Sequence, residues 1–199
     1  MSTLEEKLTG RGFIAHRFAT GEEAARFVLE SIPAGRSVGI GGSMTVKALR
    51  LDERLAEKGC PVYWHWTADN KPEALRRAQQ ADVYLSSANA IDEDGVLYNI
   101  DGTGNRVAGM FAGPKKVILF ISKNKLVEGG LDEAIARIKR VACPANGRRL
   151  GTNTPCAVTG ECTDCNAPRR MCKVTSVIEY PPNLLSELHL VLIDEELGY

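Results

Sequence analysis

KVILFIS, residues Lys116 to Ser122, is a continuous apolar run bounded by Gly113-Pro114 before it and Asn124 after it. A strand with one wet face alternates apolar and polar residues, whereas a strand covered on both faces has no such need. The run therefore predicts a central strand of a parallel sheet. Downstream, Leu131, Ala134, Ile135, Ile138 and Val141 recur at helical spacing, entered after Gly129-Gly130 and expected to leave at Cys143-Pro144. Upstream, Asp82 to Ser86 reads as a strand. Asp94-Gly95 then has the form of a hairpin turn, with Val96 to Ile100 as the next strand.

The same alternation extends toward the N-terminus. Thr20-Gly21-Glu22-Glu23 is a capping box, and Ala24, Phe27, Val28 and Ile32 follow on one helical face, giving a helix over 20–32 stopped by Pro33-Ala34-Gly35. Ser37 to Gly41 reads as a buried strand, Gly41-Gly42 as a turn, and Ser43 as the N-cap of a helix through about Leu51. Cys60 to Trp64 is a further strand, Asp69 to Pro72 the start of a helix reaching Gln80, and Leu188 to Ile193 a closing strand. Strands alternating with helices predict an α/β fold, a Rossmann-like, mostly parallel sheet flanked by helices.

At 199 residues, 44% hydrophobic and 25% charged, the chain suits one domain with a core large enough to need no disulfides. Twenty-five Lys and Arg balance twenty-five Asp and Glu, so no global field draws it to nucleic acid or an anionic membrane. MSTLEEKLTG lacks the features of a secretory leader, and no apolar run spans a bilayer, which together predict a cytoplasmic protein.

In parallel sheets ligands gather where strands end in their carboxyl-side loops. Three such loops stand out. The first, Gly41 to Thr45, holds Gly41, Gly42, Ser43 and Thr45; the second, Ser87 to Ala90, holds Asn89; the third, Ser122 to Lys125, holds Asn124 and Lys125. Asp101, Gly102, Gly104, Asn105 and Arg106 add a polar loop that opens a helix within Val107 to Ala112. Backbone N–H groups at glycine turns, hydroxyls and cationic side chains suit a small carboxylate or phosphate. A structural account competes, because Asp and Asn satisfy their own backbone in turns. Arg106 or Lys125 could hold a carboxylate and Asp101 could act as base. His65, between Trp64 and Trp66, reads as a strand-end histidine among aromatics, and neither it nor His16 or His189 is assigned a role.

Four of the six cysteines fall close together. Cys156, Cys162, Cys165 and Cys172 have the spacing C-x(5)-C-x(2)-C-x(6)-C within a loop of about 152–173. Four thiolates satisfy an iron-sulfur cluster of the 4Fe-4S type or, alternatively, zinc; free thiols or disulfides are the third reading. Arg169, Arg170 and Lys173 would offset thiolate charge. Cys143 could be a fifth thiol near the site, and Cys60 a small buried hydrophobe.

GIGGSMT (Gly39 to Thr45), SANAIDEDGVLYNIDGTGNRVA (Ser87 to Ala108), GPKKVILF (Gly113 to Phe120) and KNKLV (Lys123 to Val127) together resemble the LUD-domain proteins, the group that includes lactate utilisation protein C and its YkgG-like relatives. The resemblance covers most of the chain. It implies a fold related to the sugar-phosphate isomerase and coenzyme A transferase group, and a role near L-lactate oxidation beside iron-sulfur or flavin partner subunits. A homo-oligomer is also expected. Ala48 and Arg50 stand where the family commonly has an acidic residue and a glycine, and the cysteine-rich insert points to a subgroup.

Overall fold

The structure, a computed structural model, describes residues 2–199. The chain opens with α1 (Leu4–Gly10), β1 (Ile14–Phe18) and α2 (Gly21–Ser31), then β2 (Val38–Ile40), α3 (Met44–Ala48), α4 (Leu51–Glu57), β3 (Val62–Trp64) and α5 (Lys71–Gln79). Both early helices start on capping boxes. Thr3 pairs with Glu6 and Thr20 with Glu23, each side chain taking up a backbone N–H that the first helical turn leaves free.

Next come β4 (Val83–Ser87), β5 (Ala90–Asp92), β6 (Leu97–Asp101) and α6 (Asn105–Phe111), followed by β7 (Lys116–Ser122), β8 (Leu126–Val127) and α7 (Leu131–Arg137). The chain ends with α8 (Cys143–Leu150), α9 (Pro155–Thr159), β9 (Val174–Ile178) and β10 (Glu187–Ile193). Six strands form a sheet in the order β1-β10-β7-β4-β2-β3, every neighbouring pair parallel. A smaller sheet, β8-β5-β6-β9, packs at its carboxyl-terminal side and carries the antiparallel hairpin, with Ala90 opposite Tyr98 and Ile91 opposite Leu97.

The expected central strand is central. β7 lies between β4 and β10, and from Val117 to Ser122 it is buried throughout. Its residues divide by parity, as the pleat requires. Ile118 and Phe120 pack with Ala24, Val28 and Leu55 of α2 and α4, whereas Val117, Leu119 and Ile121 face Leu8, Tyr84 and Met110 on the other side. A third apolar cluster joins the small sheet to α7 through Tyr98, Ile100, Ala134 and Ile138.

Two helices differ from the sequence expectation. The helix expected from Ser43 to Leu51 is two, because Arg50 takes a left-handed conformation (φ 50°) that ends α3 and begins α4 on a new axis. The helix expected to stop at Cys143-Pro144 continues to Leu150. Ile138–Ala142 widen into a π turn just before Pro144, so the hydrogen-bond register shifts at the point where the proline has no N–H to give.

Candidate functional site

A cavity of about 260 Å³ opens at the carboxyl ends of β2, β3 and β4, where the small sheet and α8 meet the large one. Gly42, Ser43 and Thr45 line it from the β2 turn, and Asn89 lines it from the loop after β4. Asp101, Gly102, Asn105 and Arg106 line it from the end of β6 and the start of α6, and Lys125 from the turn after β7. The expected loops therefore converge. Gly41, Gly104 and Asn124 stand outside the lining. Gly41 is pressed between Tyr84, Ser86 and Arg106, leaving no room for a Cβ. Gly104 supplies the positive φ (85°) that starts α6. Asn124 donates to the Gly198 carbonyl (3.2 Å) and so ties down the C-terminal segment.

The polar residues in this wall divide into those spent on the fold and those free to face a ligand. Asp101 accepts from the N–H groups of Thr103 (3.2 Å), Gly104 (3.2 Å) and Val107 (3.3 Å), and its carboxylate lies 3.5 Å from Arg106 Nε. It caps α6 and pairs a buried guanidinium. Arg106 donates to the carbonyls of Ser87 (2.8 Å) and Ile100 (3.0 Å) and to the side chains of Asn89 (2.7 Å) and Asn99 (3.3 Å). Its donors lace the two sheets together. Asp92, further along the hairpin, is likewise structural, accepting from Asp94 and Val96 N–H and from the Tyr98 hydroxyl at 2.7 Å.

Lys125 differs. It is 1% exposed, and Nζ donates to Thr45 Oγ1 at 2.7 Å, which donates on to the Leu197 carbonyl at 3.1 Å. Among the described residues no carboxylate makes an ion pair with it. Burial, aided by the nearby charges of Arg137 and Arg106, pushes its ammonium down to about 7.

The opposite wall comes from residues that the sequence reading left without a role. His65 and Trp66 follow β3 into the cavity, and Arg149 of α8 lies over the Trp66 ring at 4.3 Å. Arg149 Nε and Nη2 donate to Asn146 Oδ1, and Nε also reaches the Tyr199 hydroxyl, which leaves Nη1 without a hydrogen-bond partner among the described residues. His65 Nδ1 is buried without a partner, and burial, then Arg149 and Lys71, lower its pKa. His16 and His189 are elsewhere, bonded to each other at 3.1 Å on β1 and β10.

Against this cavity stands a second pocket, lined by Cys143, Cys156, Cys162, Cys165 and Cys172. Cys143, outside the expected four, is thus the fifth thiol of the group, with its Sγ 3.8 Å from Cys172 Sγ. Contact with Cys143, then the charge of Arg170, lowers the Cys172 pKa. Arg170 donates to the Cys165 carbonyl (2.6 Å) and to Asp164 (3.3 Å), while its Nε–H is buried without a partner. Lys139, from the π turn, also reaches Asp164 at 3.4 Å. Among the described residues no three Cys, His, Asp or Glu side chains converge on one point as a single metal ion would require. Cys60 is remote and buried, its thiol turned to the Pro33 carbonyl at 3.6 Å.

The family model of the LUD domain matches residues 1–193. The chain belongs to the LUD-domain family. A crystal structure of a DUF162 family protein from Deinococcus radiodurans superposes on this LUD domain with a TM-score of 0.52 at 12% identity, covering 96% of this chain and 94% of that one. At that identity the likeness is one of fold. No curated protein matches the chain. The family membership accords with lactate utilisation, and among the described residues no helix of the LUD domain is long and apolar enough to cross a membrane.

His65 and Trp66 sit at a strand end, where parallel sheets place ligands, and the unusual run Tyr63-Trp64-His65-Trp66 is a signal that could have marked them. Arg149, Asn146 and Tyr199 lie far from the motif loops in sequence, and only the continuation of the helix past Pro144 brings the first two to the cavity.

Proposed function

We propose that this LUD domain is a component of L-lactate or related 2-hydroxy acid utilisation that binds a small anionic ligand in the cavity and carries an iron-sulfur cluster of the 4Fe-4S type in the adjoining thiol pocket. The observation that carries this reading is a shared wall: Cys143 and Met171 line both pockets. A ligand in one would sit against residues that touch the other.

The cavity suits an anion. Its charged lining is Asp101, Arg106, Lys125 and Arg149, and Asp101 is already neutralised by Arg106 and three backbone N–H groups. Arg149 Nη1 offers a charge-assisted donor, and Ser43 and Asn105 offer neutral ones. The residues of the second pocket also fit a cluster. Cys156, Cys162, Cys165 and Cys172 would be its ligands. Four thiolates arranged around a pocket suit a cluster whose irons each take one of them, and Arg170, whose charge favours the Cys172 thiolate, would offset the negative charge of such a group. When bound, such a cluster supplies one-electron transfer, so a second redox subunit, itself iron-sulfur or flavin, would complete a two-electron oxidation.

Anaerobic purification with iron, sulfide and zinc analysis and a visible spectrum tests the cluster. Iron with matching sulfide and a broad visible absorption supports it; a colourless protein carrying stoichiometric zinc replaces it with the structural-zinc reading. Thermal stabilisation by L-lactate, pyruvate, phosphate or coenzyme A tests the cavity separately. No shift with any of these ends the ligand half of the proposal.

A further inference from the structure

Lys125 presents a chemical puzzle that anion binding alone does not answer. A buried ammonium ordinarily has a carboxylate beside it, because desolvating an unpaired charge is costly. Here the charged groups around it are the guanidinia of Arg106 on α6 and Arg137 on α7, and among the described residues the one side-chain carboxylate in the cavity lining, Asp101, is held by Arg106. Arg137 is itself fixed, donating to the carbonyls of Asn89 and Asn124 at 2.8 Å each. Neither cation can move off to let Lys125 charge comfortably. Among the described residues Nζ makes one hydrogen bond, to the Thr45 hydroxyl, and that hydroxyl is committed to the Leu197 carbonyl. The wall therefore holds a primary amine whose uncharged form the surroundings favour, at the edge of a small polar cavity.

A desolvated amine among cations is the form of lysine that attacks carbonyl carbon. We propose that Lys125 is a covalent site at which Nζ condenses with the carbonyl of a small 2-oxo acid. The inference rests on the anion-binding reading of the same cavity and names its ligand class. Arg149, the lining cation whose Nη1 is not committed to the fold, selects the carboxylate, and the Lys125 amine selects the neighbouring ketone or aldehyde.

The step balances without any electron acceptor. The Nζ lone pair forms a bond to the carbonyl carbon, and the carbonyl π pair moves to oxygen, which takes up a proton as nitrogen gives one away. The resulting carbinolamine loses its hydroxyl as water while nitrogen loses its second proton, so that amine and ketone become imine and water. Thr45 is a positioning residue, since its hydroxyl fixes the direction of the amine.

Borohydride trapping tests this on the full chain. The protein is incubated with pyruvate or glyoxylate, reduced with sodium borohydride, and analysed by intact mass and peptide mapping. The expected product is one adduct per chain, with the mass of the oxo acid less water plus two hydrogens, placed on Lys125 and suppressed at least fivefold by excess phosphate or L-lactate. Lys125→Met should remove it, and Thr45→Val should slow its formation while leaving its position unchanged. Adducts scattered over exposed lysines, or none, overturn the proposal whether or not Lys125→Met folds, since the wild-type map decides. If pyruvate raises the melting temperature but leaves no adduct at Lys125, the anion site stands and the covalent site falls; if no anion shifts it and no adduct forms, both fall.

Discussion

The ring of Tyr84 lies so close to Gly109 that a Cβ on that glycine would sit 2.3 Å from Tyr84 Cζ. This contact docks α6 on β4, and the Tyr84 hydroxyl donates to the Arg106 carbonyl at 3.3 Å from the same position. Tyr84 is 1% exposed and cannot swing aside. Gly109→Ala should therefore destabilise the fold by about 1–3 kcal/mol through overpacking. Urea denaturation with an unchanged m-value is the expected record, and a variant as stable as the wild type would show that α6 can lift away freely.

Asp101 is expected to reveal itself as a structural group. Its carboxylate caps α6 and pairs Arg106, so Asp101→Ala removes a cap and leaves a buried guanidinium unpaired. The expected loss is roughly 3 kcal/mol. Asp101→Asn keeps acceptor capacity for the cap and should cost less. Equal stability of all three proteins would return Asp101 to the candidate bases.

How far the sequence reveals this molecule depends on how local each cause is. The burial of β7 on both faces follows from KVILFIS, and α2 from its capping box, because each signal lies within the element itself. The capping box at Thr3 and Glu6 is an equally local signal, carried within α1 itself. β9 could not be read, since its residues Val174, Thr175 and Val177 stay exposed and only pairing with β6 makes them a strand. The candidate site divides in the same way. Its loops were legible from glycine turns, but the opposing roles of Arg106 and Arg149 were not. Which guanidinium is spent on carbonyls and which keeps a free Nη1 is decided by tertiary partners such as Asn99 and Tyr199.

Arg149 should act on ligand affinity with little effect on folding. It is exposed, its stacking on Trp66 is a surface contact, and it lines the cavity with Nη1 unpartnered among the described residues. Removing a charge-assisted contact costs about 1.5–3 kcal/mol, so Arg149→Gln should weaken binding of an anionic ligand by roughly 10- to 100-fold. Calorimetric titration against phosphate or pyruvate measures this, with the melting temperature of the free protein nearly unchanged. Affinity retained in the variant would move the anion contact to another wall.

Five thiols around one pocket exceed the four that a cluster needs. Cys143 belongs to the rigid start of α8 and contributes to the apolar packing around Ile138 and Ala142. Serine at Cys156, Cys162, Cys165 or Cys172 should each lower iron content well below wild type after anaerobic purification, whereas Cys143→Ala should retain it. Loss of iron in Cys143→Ala with retention in Cys172→Ser would exchange the two as ligands, which their 3.8 Å separation allows.

Lys125 also makes stability depend on pH in an unusual direction. Its ammonium titrates near the ordinary lysine value of 10.5 when the chain is unfolded and is lowered to about 7 when folded. Between these values the unfolded chain binds the extra proton, so stability rises with pH across that window, by up to about 1.4 kcal/mol per unit. Below pH 7 both states are protonated and the full penalty is present; above pH 10.5 neither is, and the penalty is gone. Lys125→Met keeps much of the side-chain volume and removes the charge. The variant should be more stable than wild type at pH 7, with the difference shrinking steadily toward pH 10. Chemical denaturation at intervals across that range gives the two slopes. Parallel slopes for the two proteins would mean that Lys125 remains charged in the folded state, with a counter-ion drawn in from solvent.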